Sequence, residues 1–206
     1  MATGNLAKLG KIVTKNSCLF LCDMQDKFRP SIKFFDEIVQ NSNRLLRAAK
    51  VLQLPVIVTE QYPKGLGKTV PELGIEDFGI KPVEKTKFSM CLEPILEELK
   101  KSPEVNSVLL CGIEAHVCIQ QTAIDLRSKG FEVFVIADAC SSRGNAERML
   151  AFSLLKQAGC WLTSTESAIL SLAGGSDHPQ FKQLQSIIKA EAPDAGIANL
   201  ISLARL

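Results

Sequence analysis

The stretch SVLLCGIEAHVCIQQTAIDLRSKG, residues 107–130, carries the reading that decides the fold. Ser107 to Cys111 is a short apolar run without alternation, as expected of a strand covered on both faces. His116 to Lys129 then reads as a helix, and Gly130 stands just past its end, where glycine commonly terminates one. Working outward, the same unit recurs. Apolar runs lie at Ser17–Cys22, Pro55–Thr59 and Glu132–Ala137, with a weaker one near 160–163. Helical patterns occupy Asp36–Leu52, Leu92–Lys100 running on into Lys101, Ala146–Ala158 and Pro179–Lys189. In the first of these, Ile38, Leu45, Ala48, Ala49 and Leu52 fall largely on one face. Strands and helices in alternation predict a mostly parallel central sheet covered on both sides, a three-layer α/β/α sandwich.

No repeat, low-complexity tract or composition break divides the 206 residues. One domain is expected over 15–190, between a flexible N-terminus at 1–14 and a loosely held tail at 191–206. The Gly/Pro-rich segment 65–79 reads as a loop over one end of the sheet. Apolar residues make up 46% of the chain, charged residues 22%, and the formal net charge is +2. With no run of Lys or Arg, the sequence lacks the basic footprint of a nucleic-acid or anionic-membrane binder. Nor does any apolar stretch reach bilayer-spanning length. The seven cysteines are odd in number, show no CxxC spacing and follow no signal-peptide pattern. Free thiols in a reducing compartment are therefore expected, with a cytoplasmic location. Lys8, Lys11 and Lys15, with no acidic residue among the first fifteen, leave mitochondrial or nuclear residence open.

Parallel α/β sheets bind ligands at the carboxyl ends of their strands. The residues just past each apolar run are Asp23, Glu60-Gln61-Tyr62, Gly112 through Cys118, and Asp138, with Lys85 and Lys87 between the second and third runs. A carboxylate, a lysine and a cysteine can thus meet at one edge of the sheet. Cys118 near a helix start gains from the partial positive charge and free amides there, which favour a thiolate and can hold an oxyanion. Asp23 could take the thiol proton and return it to a leaving group. A lysine beside both would keep them ionised. Taken singly, each residue has a plainer reading as a turn former, a core thiol or a solvated charge. Only their joint placement points to nucleophilic catalysis.

LFLCDMQDKF (19–28), KTKFSM (85–90), LLCGIEAHVCIQQTAIDL (109–126) and ADACSSR (137–143) resemble the signature segments of the isochorismatase-like hydrolases, in consistent order over about residues 15–175. The resemblance implies that family's fold and an Asp-Lys-Cys triad of Asp23, Lys85 and Cys118, Lys87 being the alternative lysine. It implies hydrolysis of a small amide-type substrate through a thioester-like intermediate on Cys118. It also implies a cis peptide at Ile113–Glu114, an oxyanion hole from the Glu114 and Cys118 amides, and a homo-oligomer, to which a mean hydropathy of +0.13 adds weight. Phe28, Gln61 and Tyr62 are the candidate substrate-binding residues.

Three departures from the family's patterns bear on function. Metal-dependent relatives place an Asp and several histidines after the second strand. Here that segment is TEQYPKGLG, and His116 and His178 are the sole histidines, so no metal and no cofactor are expected. A cysteine at 118 argues against vinyl-ether hydrolysis, in which relatives carry a small residue there. Glu114 would repel anionic substrates unless it turns away into an ion pair. Vinyl-ether hydrolysis and a catalytically silent scaffold are the competing readings.

Overall fold

A computed structural model describes residues 9–198. Six strands form one sheet: β1 (Ser17–Cys22), β2 (Val56–Gln61), β3 (Val83–Lys85), β4 (Ser107–Ile113), β5 (Glu132–Ser141) and β6 (Trp161–Thr163). Their order is β3-β2-β1-β4-β5-β6, and every neighbouring pair is parallel. The helices are α1 (Phe35–Leu52), the single turn α2 (Pro63–Leu66), α3 (Glu93–Lys100), α4 (Gln120–Ser128), α5 (Asn145–Gln157), α6 (Thr165–Ala173) and α7 (Phe181–Ile188). α1 packs with α6 and α7, while α4 packs with α5. Helices therefore cover both faces of the sheet. β1 and β4 are buried along their whole length, which is why neither run alternates in sequence.

The chain winds from β1 outward through β2 to β3, then crosses to β4 and winds the other way through β5 to β6. The strand order reverses between β1 and β4, and the carboxyl ends of these two strands frame the crevice that such a reversal creates. Cys22, the last residue of β1, is paired in register with Gly112 of β4. Gly112 has φ 131°, and a β-carbon there would fall 2.1 Å from the Cys22 carbonyl oxygen. Only glycine lets the two strand ends approach so closely.

β3 differs from the expected organisation, since the sequence shows no apolar run over Val83–Lys85. It is an edge strand defined by its pairing to β2, with Thr59 opposite Val83 and Gln61 opposite Lys85. Residues 1–8 and 199–206 lie outside the described residues, but Ile12 is buried and the Thr14 hydroxyl donates to the Leu172 carbonyl at 2.7 Å. Near the other end, the fully buried Arg148 donates to the carbonyls of Ala195 (2.7 Å) and Ala137 (2.9 Å), fastening the segment after α7 to β5. Among the described residues, no helix is long and apolar enough to cross a membrane.

Gly112→Ala should lower the stability of the folded chain by at least about 2 kcal/mol, from the left-handed backbone and the clash with Cys22 together. Denaturant unfolding of the variant against wild type checks this; an unchanged midpoint would contradict the close approach of β1 and β4.

Candidate active site

Asp23 follows β1 directly and sits at φ 53°, a left-handed conformation that aspartate tolerates better than most residues. Its amide donates to the Thr59 carbonyl at 3.1 Å, and the Gln25 amide donates to its carbonyl at 2.8 Å. The carboxylate is fully engaged. Oδ1 accepts from the Thr59 hydroxyl at 2.8 Å. Oδ2 accepts from Lys85 Nζ at 2.6 Å and from the Cys22 thiol at 3.4 Å. The side chains of Lys85 and Asp23 are 0% and 2% exposed. This is a buried ion pair, and removing one partner from such a pair typically costs about 3–5 kcal/mol, because the other is left charged and alone.

Lys85 ends β3 and reaches Asp23, whereas Lys87 is exposed and contributes its carbonyl. Besides Asp23, the Lys85 ammonium has the Gln61 side-chain carbonyl at 2.8 Å, the Phe88 carbonyl at 2.8 Å and the Lys87 carbonyl at 3.1 Å. Four acceptors surround three N–H donors, so the protein itself consumes the hydrogen bonds of this cation. Burial works against the Lys85 charge, yet the neighbouring Cys22, Asp23 and Cys118 side chains together outweigh it and raise the ammonium above the usual lysine range. Lys85 is therefore a fixed positive charge at neutral pH.

Cys118 comes from the other side of the crevice. β4 runs out at Ile113, and the chain enters a widened π-helical turn, Ala115–Ile119, before α4 begins. Such turns recur at functional sites. Cys118 is 7% exposed. Its sulfur lies within 4.8 Å of both an Asp23 carboxylate oxygen and the Cys22 sulfur. By type these three donors could bind a thiophilic ion, but both Asp23 oxygens already accept hydrogen bonds, Oδ1 from Thr59 and Oδ2 from the Lys85 ammonium. Of the two histidines, His116 meets the Ser142 hydroxyl and His178 accepts from the Gln180 amide.

Glu114 turns out of the crevice. Its Oε1 accepts from Arg143 Nε at 2.7 Å, the ion pair under which its charge ceases to oppose an anion. Among the described residues, no acceptor outside the helical turn takes the Glu114 or Cys118 amide. The cis peptide expected at Ile113–Glu114 is absent, since the described residues contain none.

The three substrate-binding candidates separate. Phe28, in the short turn Asp26–Phe28, packs against the core from a partly buried position. Gln61 gives its carbonyl oxygen to Lys85 and its amide nitrogen to the Thr86 carbonyl at 2.9 Å, so both ends of its amide are occupied. Tyr62 is 54% exposed and, with Lys64, Glu84 and Lys85, lines a cavity of about 330 Å³ beside β3. A larger cavity, about 640 Å³, opens at the opposite edge between Phe152 and Trp161, on the far side of β5 from Asp23, Lys85 and Cys118.

Sequence reasoning overlooked Cys22 and Thr59. In a regular strand adjacent side chains point to opposite faces. The left-handed turn at Asp23 breaks that rule and brings the Cys22 thiol onto its neighbour's carboxylate. Thr59 had a signal, since its place beside Cys22 follows from pairing β1 with β2.

The Isochorismatase domain family matches residues 17–167. Isochorismatase domain-containing protein 2 of Xenopus laevis is 52% identical over 95% of this chain and 95% of its own length. Among solved structures, one described as the MAR1 ribonuclease from Caenorhabditis elegans is 50% identical, covers 91% of this chain and 96% of its own, and superposes with a TM-score of 0.86. The Escherichia coli YcaC gene product, described as an octameric hydrolase of unknown specificity, shares the fold at a TM-score of 0.80 and 21% identity, covering 95% of this chain and 96% of its own. With its family signature, its parallel six-stranded sheet and these relatives, the chain belongs to the isochorismatase family of hydrolases.

Proposed function

We propose that this protein is a cysteine hydrolase that cleaves an amide-type bond in a small molecule. The observation that carries the reading is the buried Asp23–Lys85 pair with the Cys118 sulfur within 4.8 Å of the carboxylate, at the reversal of strand order. In this mechanism Asp23 takes the Cys118 proton and the thiolate attacks the substrate carbonyl. The amides of Glu114 and Cys118 hold the developing oxyanion. Asp23 then delivers its proton to the departing nitrogen, leaving an acyl-thioester on Cys118. Water, deprotonated by the same carboxylate, hydrolyses that thioester. Lys85 acts through its charge, keeping Asp23 ionised between steps, because its own hydrogen bonds are already taken. Phe28 and Tyr62 wall the entrance, and Gln61 supports it by holding Lys85.

The six other cysteines suit this assignment. Burial pushes the thiols of Cys18 and Cys111 up to about 12 and those of Cys91 and Cys160 up to about 11. It raises Cys140 and Cys22 well above the ordinary thiol range. All six are therefore protonated at neutral pH and poor nucleophiles.

A second reading comes from the C. elegans structure described as a ribonuclease. Small amides, ureides, a vinyl ether and single-stranded RNA should be offered in parallel to wild type, Cys118→Ala and Lys85→Met. The cysteine-hydrolase reading expects turnover of an amide or ureide, none in Cys118→Ala, and a fall of roughly 10²–10³ in Lys85→Met, the usual cost of losing a preorganised electrostatic group. RNA cleavage that survives Cys118→Ala would overturn it, and vinyl-ether turnover surviving that change would favour the family's other chemistry.

We further propose a homo-oligomer. Leu150 and Leu154 on α5 are 65% and 40% exposed, and Ile124 on the adjoining α4 is 39% exposed, an apolar patch suited to a second copy. Sedimentation at micromolar concentration should give a multiple of 22.5 kDa. Leu150→Glu with Leu154→Glu should lower that mass, and a wild-type monomer would contradict the proposal.

A further inference from the structure

The hydrolytic mechanism leaves one group at its centre without a task. The Cys22 thiol is fully buried, donates to Asp23 Oδ2 at 3.4 Å, and faces the Cys118 sulfur. The two sulfurs are within 4.8 Å of one another, and a disulfide would need side-chain rotation to bring them to about 2.05 Å. The other cysteines that find a hydrogen-bond acceptor find a backbone carbonyl: Cys18 that of Ser107, Cys111 that of Phe20, Cys140 that of Leu110 and Cys91 that of Thr122. The pair also differs within itself, since Cys118 is slightly accessible and Cys22 is sealed. A small oxidant suits that limited access.

We propose that Cys22 and Cys118 form an oxidisable dithiol, with a hydroperoxide as oxidant, that reversibly closes the active site as a disulfide. The idea goes beyond the hydrolase reading and shares with it a reactive Cys118 and Asp23 as proton carrier. The Cys118 thiolate attacks the peroxide. An S–O bond forms, the O–O bond breaks, and the departing alkoxide or hydroxide takes from Asp23 the proton that Cys118 gave up, which leaves Asp23 ionised again. Sulfur is oxidised by two electrons to the sulfenic acid and the peroxide is reduced to an alcohol or water. Asp23 then removes the Cys22 proton and the resulting thiolate attacks the Cys118 sulfur. The S–S bond forms as the S–OH bond breaks, and the leaving hydroxide recovers the proton from Asp23 as water. Burial, the contact with Cys118 and the Asp23 charge all hold Cys22 protonated at rest, so it reacts once the adjacent sulfur has become electrophilic. A dithiol reductant restores both thiols.

The full-length chain, with wild type and Cys22→Ala side by side, is treated with stoichiometric hydrogen peroxide, free thiols are blocked, and non-reduced digests are mapped by mass spectrometry. Wild type should give a peptide joining Cys22 to Cys118 that dithiothreitol separates. Cys22→Ala should instead carry sulfinic or sulfonic acid at Cys118 that dithiothreitol does not reverse. Sulfinic acid at Cys118 of wild type without the linked peptide, a disulfide between other cysteines, or no oxidation at either residue would each overturn the proposal. The readout needs no substrate. A linked pair in a protein inert to every amide would reject the hydrolase and keep the dithiol, and the reverse pattern would do the opposite.

Discussion

The ion pair between Asp23 and Lys85 is the constraint on which the site depends. Two charges with almost no solvent exposure persist only if each is matched, and here every polar atom of both has a partner. The carboxylate is held by a hydroxyl, an ammonium and a thiol, the ammonium by a carboxylate, a side-chain amide and two backbone carbonyls. A hydrophobic pair of similar volume could fill the space at no greater cost in stability. What the charges add is a fixed field beside the Cys118 sulfur in a crevice with little water, where electrostatic effects are strong.

The backbone around the pair is shaped to permit it. Asp23 takes a left-handed conformation in which its side chain and that of Cys22 share one space. Gly112 lets β4 approach β1 closely enough to bring the following turn, and Cys118 with it, to the same point. The reversal of strand order does the rest, because it leaves the ends of β1 and β4 uncovered by a crossover.

The sequence revealed the architecture through β1, β2, β4 and β5, whose runs are long, apolar and buried, and through glycines such as Gly130 and Gly159 that stop the helices. β3 escaped because Val83–Lys85 is short and half polar, and an edge strand is specified by its neighbour as much as by its own residues. α6 escaped because AILSLA is too densely apolar to show a clear stripe, although Ser164 caps its start by accepting from the Ser167 amide. At the site, Asp23 and Cys118 stood out by position after strands and Lys85 by its segment between two of them, while the choice between Lys85 and Lys87 turned on contacts no spacing shows: Lys85 meets Asp23 and Lys87 is exposed. The turning of Glu114 toward Arg143 was foreseeable only as one of two alternatives, since nothing in sequence spacing joins those residues. Gln61 illustrates the limit most clearly: its place at a strand end suggested substrate, yet its amide is spent on Lys85 and Thr86.

On the proposed mechanism, Lys85 acts through Asp23 to make Cys118 the reactive sulfur of this chain. Residue-by-residue rates of iodoacetamide labelling in the native protein at neutral pH, followed by mass spectrometry in wild type and in a Lys85→Met variant shown by thermal melting to be folded, test it most directly. The account predicts that Cys118 is labelled at least about 10-fold faster than any of the other six, and that Lys85→Met removes most of that advantage because the unpaired carboxylate then opposes a thiolate. Equal labelling of all seven cysteines, or a Cys118 rate untouched by the loss of Lys85, would contradict it.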